Sequence, residues 1–235
     1  MQKLRDIHLH IIYGVDDGAQ KREDMFAMLD QAHENNVTTL YCTSHQTCGM
    51  DEFDRTNYFA HMKEAREYIR EKGYEILLFA GAEILYTPAM ANFLANNKPP
   101  VMGNTSYVLM EFVPDVSFDE IERSIKLLES YHYIPIIAHI ERYETMFHNK
   151  VERLKQQHNV RFQINCNAVL KKHGFMKDRT INKWLQQQLI DYISSDSHDT
   201  TIRPNQMMSA FEIVSNKYGE EYAARIMGDA GDGSL

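Results

Sequence analysis

The sequence predicts a single-domain α/β fold, a distorted seven-stranded (β/α)7 barrel of the TIM type. Two observations carry this prediction: seven short apolar runs alternate with amphipathic segments, and no Pro-, Gly- or Ser-rich linker divides the 235 residues. Alternating strands and helices are typical of a parallel sheet, and seven strands suit a barrel better than a small open sheet. The apolar runs are residues 4–10, 37–45, 76–83, 107–112, 134–139, 160–165 and 189–196.

The segments between these runs carry apolar residues at helical spacing, which predicts helices that pack one face on a core. Ser117 and Glu120 form a capping box in front of one of them. We expect the domain to span residues 1–228, followed by a flexible tail, 229–235, rich in Gly and Asp. The apolar stripes are Met25, Met28, Leu29 and Ala32; Tyr58, Met62, Ala65 and Ile69; Ile121, Ile125 and Leu128; Ile181, Trp184 and Leu185; and Met207, Phe211, Val214 and Tyr218.

Charge and composition exclude several classes of protein. A net charge of -8 argues against a protein that binds nucleic acid through many phosphate contacts. No run approaches the roughly 18 apolar residues of a membrane span, so no membrane insertion is expected. The N-terminus has no apolar signal segment and the cysteines number only three, so we expect a cytoplasmic protein without structural disulfides.

The cysteines also exclude one catalytic mechanism. Cysteine-dependent tyrosine phosphatases need an Arg six positions after the nucleophile. Here Cys48, Asp54 and Lys172 stand six positions after Cys42, Cys48 and Cys166 respectively. A thiolate nucleophile of that kind is therefore excluded, and Cys42 and Cys166 are expected to be small core residues.

The first apolar run contains His8 and His10, which lie on the same side of an extended strand because side chains alternate along it. A turn with Asp16 and Asp17 follows directly. Imidazole and carboxylate ligands together suit Mn, Fe or Zn and disfavour a thiolate-type zinc site. This stretch therefore predicts the first part of a metal site.

Side chains able to bind a metal stand at the ends of six of the seven apolar runs. A lone histidine at a strand end is more often a polar residue leaving the core. Six such ends favour a site, because the carboxyl ends of barrel strands form the active-site face and buried polar groups cost stability unless they are satisfied. These side chains are His8, His10, His45, Glu83, Glu111, His139, Asp196 and His198.

Taken together, these motifs resemble the PHP (polymerase and histidinol phosphatase) family. The resemblance is closest to its bacterial manganese-dependent protein-tyrosine phosphatases, which accompany capsule and exopolysaccharide biosynthesis. It implies a PHP fold that holds three divalent metal ions, Mn first, with Fe or Zn as alternatives. The motifs are Asp6-Ile7-His8-Leu9-His10, Gly14-Val15-Asp16-Asp17-Gly18-Ala19, Thr43-Ser44-His45, Gly81-Ala82-Glu83-Ile84, Leu109-Met110-Glu111-Phe112, Ala138-His139-Ile140-Glu141-Arg142-Tyr143 and Ser195-Asp196-Ser197-His198.

The resemblance also implies a role for each candidate residue. Arg142 and Arg203 match the two arginines that hold the substrate phosphate, although each has an alternative as an ordinary charged residue at a helix start. Nine residues match metal ligands: His8, His10 and Asp196 for the first ion; Glu83 as a bridge between two ions; Glu111 and His139 for the second ion; and Asp17, His45 and His198 for the third.

The sequence departs from the family pattern at the rim of the site. Gln46 replaces a second histidine, and Ile12-Tyr13 replace a Leu-Pro pair before the Asp16–Asp17 turn. Neither change removes a matched ligand. Both are expected to alter the surroundings of the ligands or the edge of the pocket.

The leading hypothesis is a hydrolase that removes phosphate from protein phosphotyrosine. Metal-bound hydroxide would attack phosphorus in line without a covalent phosphoenzyme. The resemblance implies a tyrosine-phosphorylated bacterial autokinase, or its C-terminal tail, as partner, and a homo-oligomer stays open. A phenolate leaves easily because its pKa is about 10; Asp199 and His173 are weak candidates for a general acid.

Three alternatives stay open on the sequence. The first is a small-molecule phosphatase of the same superfamily, such as one acting on histidinol phosphate, because that branch shares the metal ligands. The second is a regulatory module that binds metal or polysaccharide, although the ligand set looks complete. The third, a nuclease, is disfavoured by the acidic charge and the lack of a basic stripe.

Overall fold

The computed structural model describes residues 2–49, 53–231 and 235. These residues form nine strands, and every pair of neighbouring strands is parallel. The α/β class predicted from the sequence is therefore confirmed. The strands are β1 (Leu4–Leu9), β2 (Val37–Cys42), β3 (His45–Gln46), β4 (Leu77–Ala80), β5 (Glu83–Leu85), β6 (Tyr107–Glu111), β7 (Ile134–Ile137), β8 (Arg161–Asn165) and β9 (Tyr192–Ser194).

The strands form two sheets, of order β1-β2-β4 and β3-β5-β6-β7-β8-β9. The parallel sheet curls into a half-barrel. Each predicted run contains a strand, but the count is nine and not seven because two runs break in the middle. At both breaks the hydroxyl of Tyr58 satisfies the backbone: it donates to the carbonyl of Cys42 at 2.6 Å and accepts from the N–H of Gly81 at 3.2 Å.

Nine α-helices cover the sheets within the described residues. The predicted apolar stripes lie on them and pack against the core, which confirms this part of the sequence prediction. The capping box of Ser117 and Glu120 is present. The helices are α1 (Arg22–Glu34), α2 (Arg55–Lys72), α3 (Met90–Asn96), α4 (Phe118–Ser130), α5 (Lys150–Gln157), α6 (Asn167–Leu170), α7 (Phe175–Gln186), α8 (Met207–Tyr218) and α9 (Glu220–Met227); two 3-10 turns are Ile140–Arg142 and Glu144–Met146.

The C-terminal end of the domain is attached to the first strand. Gly228 forms an antiparallel bridge with Leu4. The carboxylate of Asp229 accepts hydrogen bonds from the hydroxyls of Thr38 (2.5 Å) and Thr39 (2.9 Å). Residues 232–234 of the predicted tail lie outside the described residues, and the flexibility of the tail stays a prediction.

The sequence predicted no membrane span and no structural disulfide. Among the described residues no helix is both long and apolar enough to cross a membrane. All three cysteines are buried and none belongs to a disulfide.

A close approach of two backbone segments fixes the turn after β1. The N–H of Ala19 donates to the carbonyl of His10 at 3.1 Å, and the N–H of Gly14 donates to the carbonyl of Ala19 at 2.8 Å. A β-carbon added at Gly18 would lie only 2.1 Å from the carbonyl oxygen of His10. Glycine at this position therefore allows the turn that carries Asp17 to fold back on the strand.

Gly18→Ala is expected to lower the free energy of unfolding by about 2 to 3 kcal/mol, because the clash is with backbone and cannot be relieved by a side-chain rotation. Denaturant unfolding would measure the change. Gly73→Asn is the matched control, since Gly73 ends α2 in the left-handed region with open space around it, a conformation that Asn tolerates. Equal stability of the Gly18→Ala variant and the parent would contradict the assigned close approach.

Candidate metal centre

His8 in β1 and His10 directly after that strand point to the same side and are fully buried. Their backbone is held against the segment after β9: the N–H of Asp196 donates to the carbonyl of His8, and the N–H of His10 donates to the carbonyl of Ser197, both at 2.8 Å. The first and last strand regions of the chain thus meet at this point. Their side chains become neighbours although nearly 190 residues separate them.

The carboxylate of Glu83 lies at the centre of the cluster and is almost completely buried. Its Oε2 lies 3.0 Å from His8 Nε2 and 3.2 Å from His10 Nε2. The same oxygen lies 3.3 Å from His45 Nδ1, while Oε1 lies 2.8 Å from His139 Nε2. Four imidazoles from three strand ends therefore surround one carboxylate.

Three overlapping sets of donor atoms surround this carboxylate, and within each set the atoms lie within 4.8 Å of one another. Each set mixes ring nitrogen with carboxylate oxygen. His10, His45 and Glu83 each belong to two sets. The sets are His10, Asp17, His45 and His198; His8, His10, Glu83 and Asp196; and His45, Glu83 and Glu111.

The one predicted ligand outside these sets, His139, also borders the cluster. Its Nε2 lies 2.8 Å from Glu83 and 3.7 Å from Glu111 Oε2. All nine residues that the sequence singled out as candidate ligands are therefore brought to one place. They come from β1, β3, β5 and β6, from the turn after β1 and from the segments after β7 and β9.

The two neighbouring aspartates of the turn have different surroundings. Asp17 Oδ1 lies 3.3 Å from His45 Nε2 and 3.4 Å from His198 Nε2, so Asp17 faces the cluster. Asp16 turns away and accepts hydrogen bonds from His10 Nδ1 at 2.8 Å and from the N–H of His45 at 3.0 Å. Asp16 thus orients two of the imidazoles.

Burial and charge oppose each other in this cluster. Burial alone would lower the pKa of His10, but Asp16 and Glu83 raise that pKa to about 10. Burial would raise the pKa of Glu83, yet the surrounding imidazoles hold it well below its usual range. For His198, burial and the positive charge of His10 lower the pKa to about 4. The surrounding imidazoles therefore favour the ionised form of the Glu83 carboxylate.

The donor set fits divalent metal ions. Buried His198 Nε2 makes no hydrogen bond within the described part of the chain, although Asp17 Oδ1 lies 3.4 Å away. Two donor atoms that face each other in this way are arranged for a shared cation. Ions bound here would replace imidazole protons as the positive charge that the carboxylates require.

Two residues that follow strands have unusual backbone conformations. His139 has φ 32° and Asp196 has φ 52°, in the left-handed region that residues other than glycine rarely adopt. Such strain persists only where the surrounding structure imposes it, and it clusters at functional sites. The conformation turns both side chains into the cluster at the strand ends.

Three residues that support the cluster were not identified from the sequence. The side-chain oxygen of Gln163 accepts from the N–H of His139 at 2.7 Å and lies 3.3 Å from His8 Nδ1. Asn165 donates to Asp196 Oδ2 at 2.7 Å. The hydroxyl of Tyr143 lies within hydrogen-bond distance of His139 Nδ1, at 3.1 Å. The sequence of β8 could have indicated two of them. Polar Gln163 and Asn165 alternate there with apolar residues and so lie on the same face of the strand.

The two predicted phosphate-binding arginines lie beside the cluster. Arg142 Nη2 lies 2.5 Å and Arg203 Nη2 lies 2.8 Å from the same atom, Asp196 Oδ2. Their side chains are 43% and 34% exposed, so both also reach solvent. As an ordinary charged residue, Arg142 could instead have paired with its neighbour Glu141. No such pair forms within the described residues, because the buried carboxylate of Glu141 accepts from the N–H of Asn165.

The weak candidates for a general acid have structural partners. Burial raises the pKa of Asp199, but N–H groups of Thr201, Ile202 and Arg203 that donate to its carboxylate outweigh this and lower the pKa below its usual value. His173 Nε2 contacts the carbonyl oxygen of Asn167 at 2.8 Å. Asp199 thus shapes the loop that carries Arg203.

The departures from the family pattern lie around the cluster. The ring of Tyr13 stacks on His61, with centroids 3.6 Å apart, and its hydroxyl donates to Glu64 at 3.3 Å. Gln46 is buried beside Ile84 in the pairing of β3 with β5. Both contacts lie outside the donor sets.

A parallel α/β fold whose strand ends gather histidines and carboxylates defines a protein with a candidate metal-binding centre. The chain matches the family model of capsular polysaccharide synthesis, CpsB/CapC, over residues 4–233. It belongs to this family.

Similarity to individual proteins extends over almost the whole chain. The chain is 32% identical to the tyrosine-protein phosphatase CpsB of Streptococcus pneumoniae over 232 residues, which is 95% of both chains. It is 24% identical to the tyrosine-protein phosphatase YwqE of Bacillus subtilis over 230 residues, 92% of this chain and 85% of that one.

Solved structures share the fold. Crystal structures of YwqE from Bacillus subtilis and CpsB from Streptococcus pneumoniae, described as unique metal-dependent tyrosine phosphatases, match with TM-score 0.82 and 23% identity over 93% of this chain and 89% of theirs. Histidinol phosphate phosphatase from Lactococcus lactis matches with TM-score 0.55 and 14% identity over 94% of each chain. These likenesses establish the fold.

Gln163→Leu is expected to lower the free energy of unfolding by about 1 to 3 kcal/mol, because the buried N–H of His139 loses its acceptor. Denaturant unfolding of the metal-stripped protein measures this without a contribution from bound ions. Gln157→Leu on the exposed surface of α5 is the control and is expected to change stability little. Equal effects of the two substitutions would show that Gln163 does not hold His139.

Proposed function

We propose that this protein is a metal-dependent phosphatase that hydrolyses phosphotyrosine in proteins. The observation that carries the proposal is the convergence of Arg142 and Arg203 on one oxygen of Asp196, beside nine clustered metal-binding side chains. Membership of the CpsB/CapC family and the names of its relatives support the same activity. The geometry suits a substrate with a terminal phosphate.

The chain would hold three divalent ions, preferably Mn, among the donor sets and the neighbouring His139. His8, His10 and Asp196 would bind the first ion and Glu83 would bridge it to the second, which Glu111 and His139 complete. Asp17, His45 and His198 would bind the third. Bound divalent ions supply activation of water and neutralise phosphate charge. The half-exposed side chains of His45 and Asp17 leave this side open to substrate.

Arg142 and Arg203 would bind the phosphate oxygens of the substrate. A guanidinium stays charged and can donate two parallel hydrogen bonds to phosphate. Asp196 Oδ2 orients both groups before substrate arrives. The dianionic phosphate then meets donors that are already in place, which lowers the cost of ordering them.

Among the described residues, the general-acid candidate on the loop of Arg203 is not free, which favours a phenol ester over an alkyl ester. The carboxylate of this candidate, Asp199, is occupied by backbone N–H groups. A tyrosine phenolate, with a pKa of about 10, leaves with little help from an acid, whereas a serine alkoxide requires it. Histidinol phosphate is also an alkyl ester, so this argument disfavours the small-molecule alternative.

We infer that the protein substrate is a tyrosine-phosphorylated segment of a bacterial autokinase that controls capsular or exopolysaccharide synthesis. The family to which the chain belongs supports the link with capsule synthesis. The cytoplasmic location and any homo-oligomer stay predictions.

We also propose that β2 with β3, and β4 with β5, each act as one interrupted strand. Seven strands would then surround the centre. The parallel bridge between Leu9 and Ser197, which joins the first and last strand regions, supports this arrangement.

Removal of metal is expected to reduce turnover of a phosphotyrosine peptide more than about 100-fold, since activation of water and charge neutralisation are both lost. Mn, Fe and Zn are then added back separately, and elemental analysis counts the ions bound per chain. Histidinol phosphate and a phosphoserine peptide are assayed alongside. Activity that survives chelation, or that is confined to histidinol phosphate, would overturn the proposal.

Arg142→Ala and Arg203→Ala are each expected to lower kcat/KM for phosphotyrosine about 10- to 100-fold, the effect of losing a charged hydrogen bond to phosphate. Bound metal, measured by elemental analysis, should remain. Arg153→Ala is the control, because Arg153 pairs with Glu122 on the surface. Unchanged kcat/KM in both variants would rule out phosphate binding by these arginines.

A further inference from the structure

A basic and apolar segment follows β8 and begins α7. This segment, residues 171–179, exposes Phe175 by 80% and Met176 by 68%, more than almost any other large apolar side chain in the described residues. It contains four cations and one carboxylate, in a chain whose net charge is -8. The cations are Lys171, Lys172, Lys177 and Arg179. We call residues 171–179 the basic loop.

The basic loop follows the C-terminal end of β8, and the candidate centre lies at this end of the sheet. It begins six residues after Asn165, whose amide donates to Asp196 at the end of β8. It lines a groove of about 970 Å³ that lies mostly along α7 and also includes His148, from the segment that follows Arg142. The lining residues therefore come from the segments after β7 and β8, which are adjacent strands.

The positive charge of the groove is not neutralised locally. The only carboxylate of the basic loop, Asp178, accepts from the N–H of His173 at 2.9 Å and so fixes the loop. Lys183 is paired with Glu152 at 2.6 Å. Lys172 and Arg179 form no ion pair within the described part of the chain. They remain available to an anionic partner.

We propose that this groove binds acidic residues that flank the phosphotyrosine of the protein substrate, with Phe175 and Met176 contacting an apolar side chain of the same segment. The proposal rests on the proposed function. A bound segment would be extended, and six extended residues span at most about 20 Å, so the flanking positions of interest are those within about six of the phosphotyrosine. A concave groove suits an extended polypeptide better than a flat anionic membrane.

The test compares two phosphotyrosine peptides on the Mn-loaded protein, one with four Glu within six positions of the phosphotyrosine and one with Gln in their place. We expect kcat/KM for the Glu peptide to be about tenfold higher, through a lower KM, because opposite charges favour encounter and binding. The double variant Lys172→Gln with Arg179→Gln should bring this ratio close to one. Hydrolysis of p-nitrophenyl phosphate, which is too small to reach the basic loop, should stay within about twofold.

The matched control is Arg70→Gln with Lys98→Gln, which removes two exposed cations from segments that lead into the opposite ends of strands. In this control variant, the ratio of kcat/KM for the Glu peptide to kcat/KM for the Gln peptide should equal that of the parent protein. Raising ionic strength should lower the ratio in the parent protein itself, which tests the proposal without any variant. Equal kcat/KM for both peptides in the parent would overturn the groove proposal alone, whereas failure to hydrolyse any phosphotyrosine peptide would overturn the proposed function. Binding of the basic loop to phosphatidylserine vesicles with no peptide discrimination would assign it to a membrane surface instead.

Discussion

The buried carboxylate of Glu83 is the group on which the candidate centre depends. It is the first residue of β5, directly after the break that follows β4, and it lies within 3.3 Å of nitrogens from His8, His10, His45 and His139. A buried carboxylate without compensating charge costs several kcal/mol, so positive charge must accompany it. Imidazolium groups supply that charge in part, and divalent ions would supply it fully. Burial of this carboxylate therefore favours a cation in the centre of the cluster.

A second carboxylate joins this centre to the surface that would bind phosphate. Asp196 directs Oδ1 toward His8 and His10, at 3.5 and 3.7 Å, while Oδ2 meets Arg142 and Arg203. One residue thus stabilises positive charge on two sides. Its left-handed backbone conformation is the local strain that this double contact requires. The arrangement places permanent cations next to the metal-binding atoms, where a phosphate could contact both.

Sequence patterns predicted much of this structure and missed identifiable parts. The apolar stripes of α1, α2, α4, α7 and α8 were recognised because helical periodicity is a local property. The residues that support the cluster were not: Gln163 and Tyr143 contact imidazoles and Asn165 donates to Asp196, all atoms that the chain brings near only after folding. The breaks near Tyr58 and Gly81 were also missed, since a hydroxyl from a helix satisfies backbone groups of two strands there.

The sequence by itself determined the fold class and the helix faces, because each depends on spacing within one short segment, and its resemblance to a known family implied the nine clustered donors, Asp17 among them. Tertiary structure alone decided that Asp16 accepts from His10 and from the backbone of His45, and that both arginines meet at Asp196. These outcomes depend on distances between strand ends far apart in the chain. Such distances follow from sheet order and backbone closure, neither of which a local pattern contains.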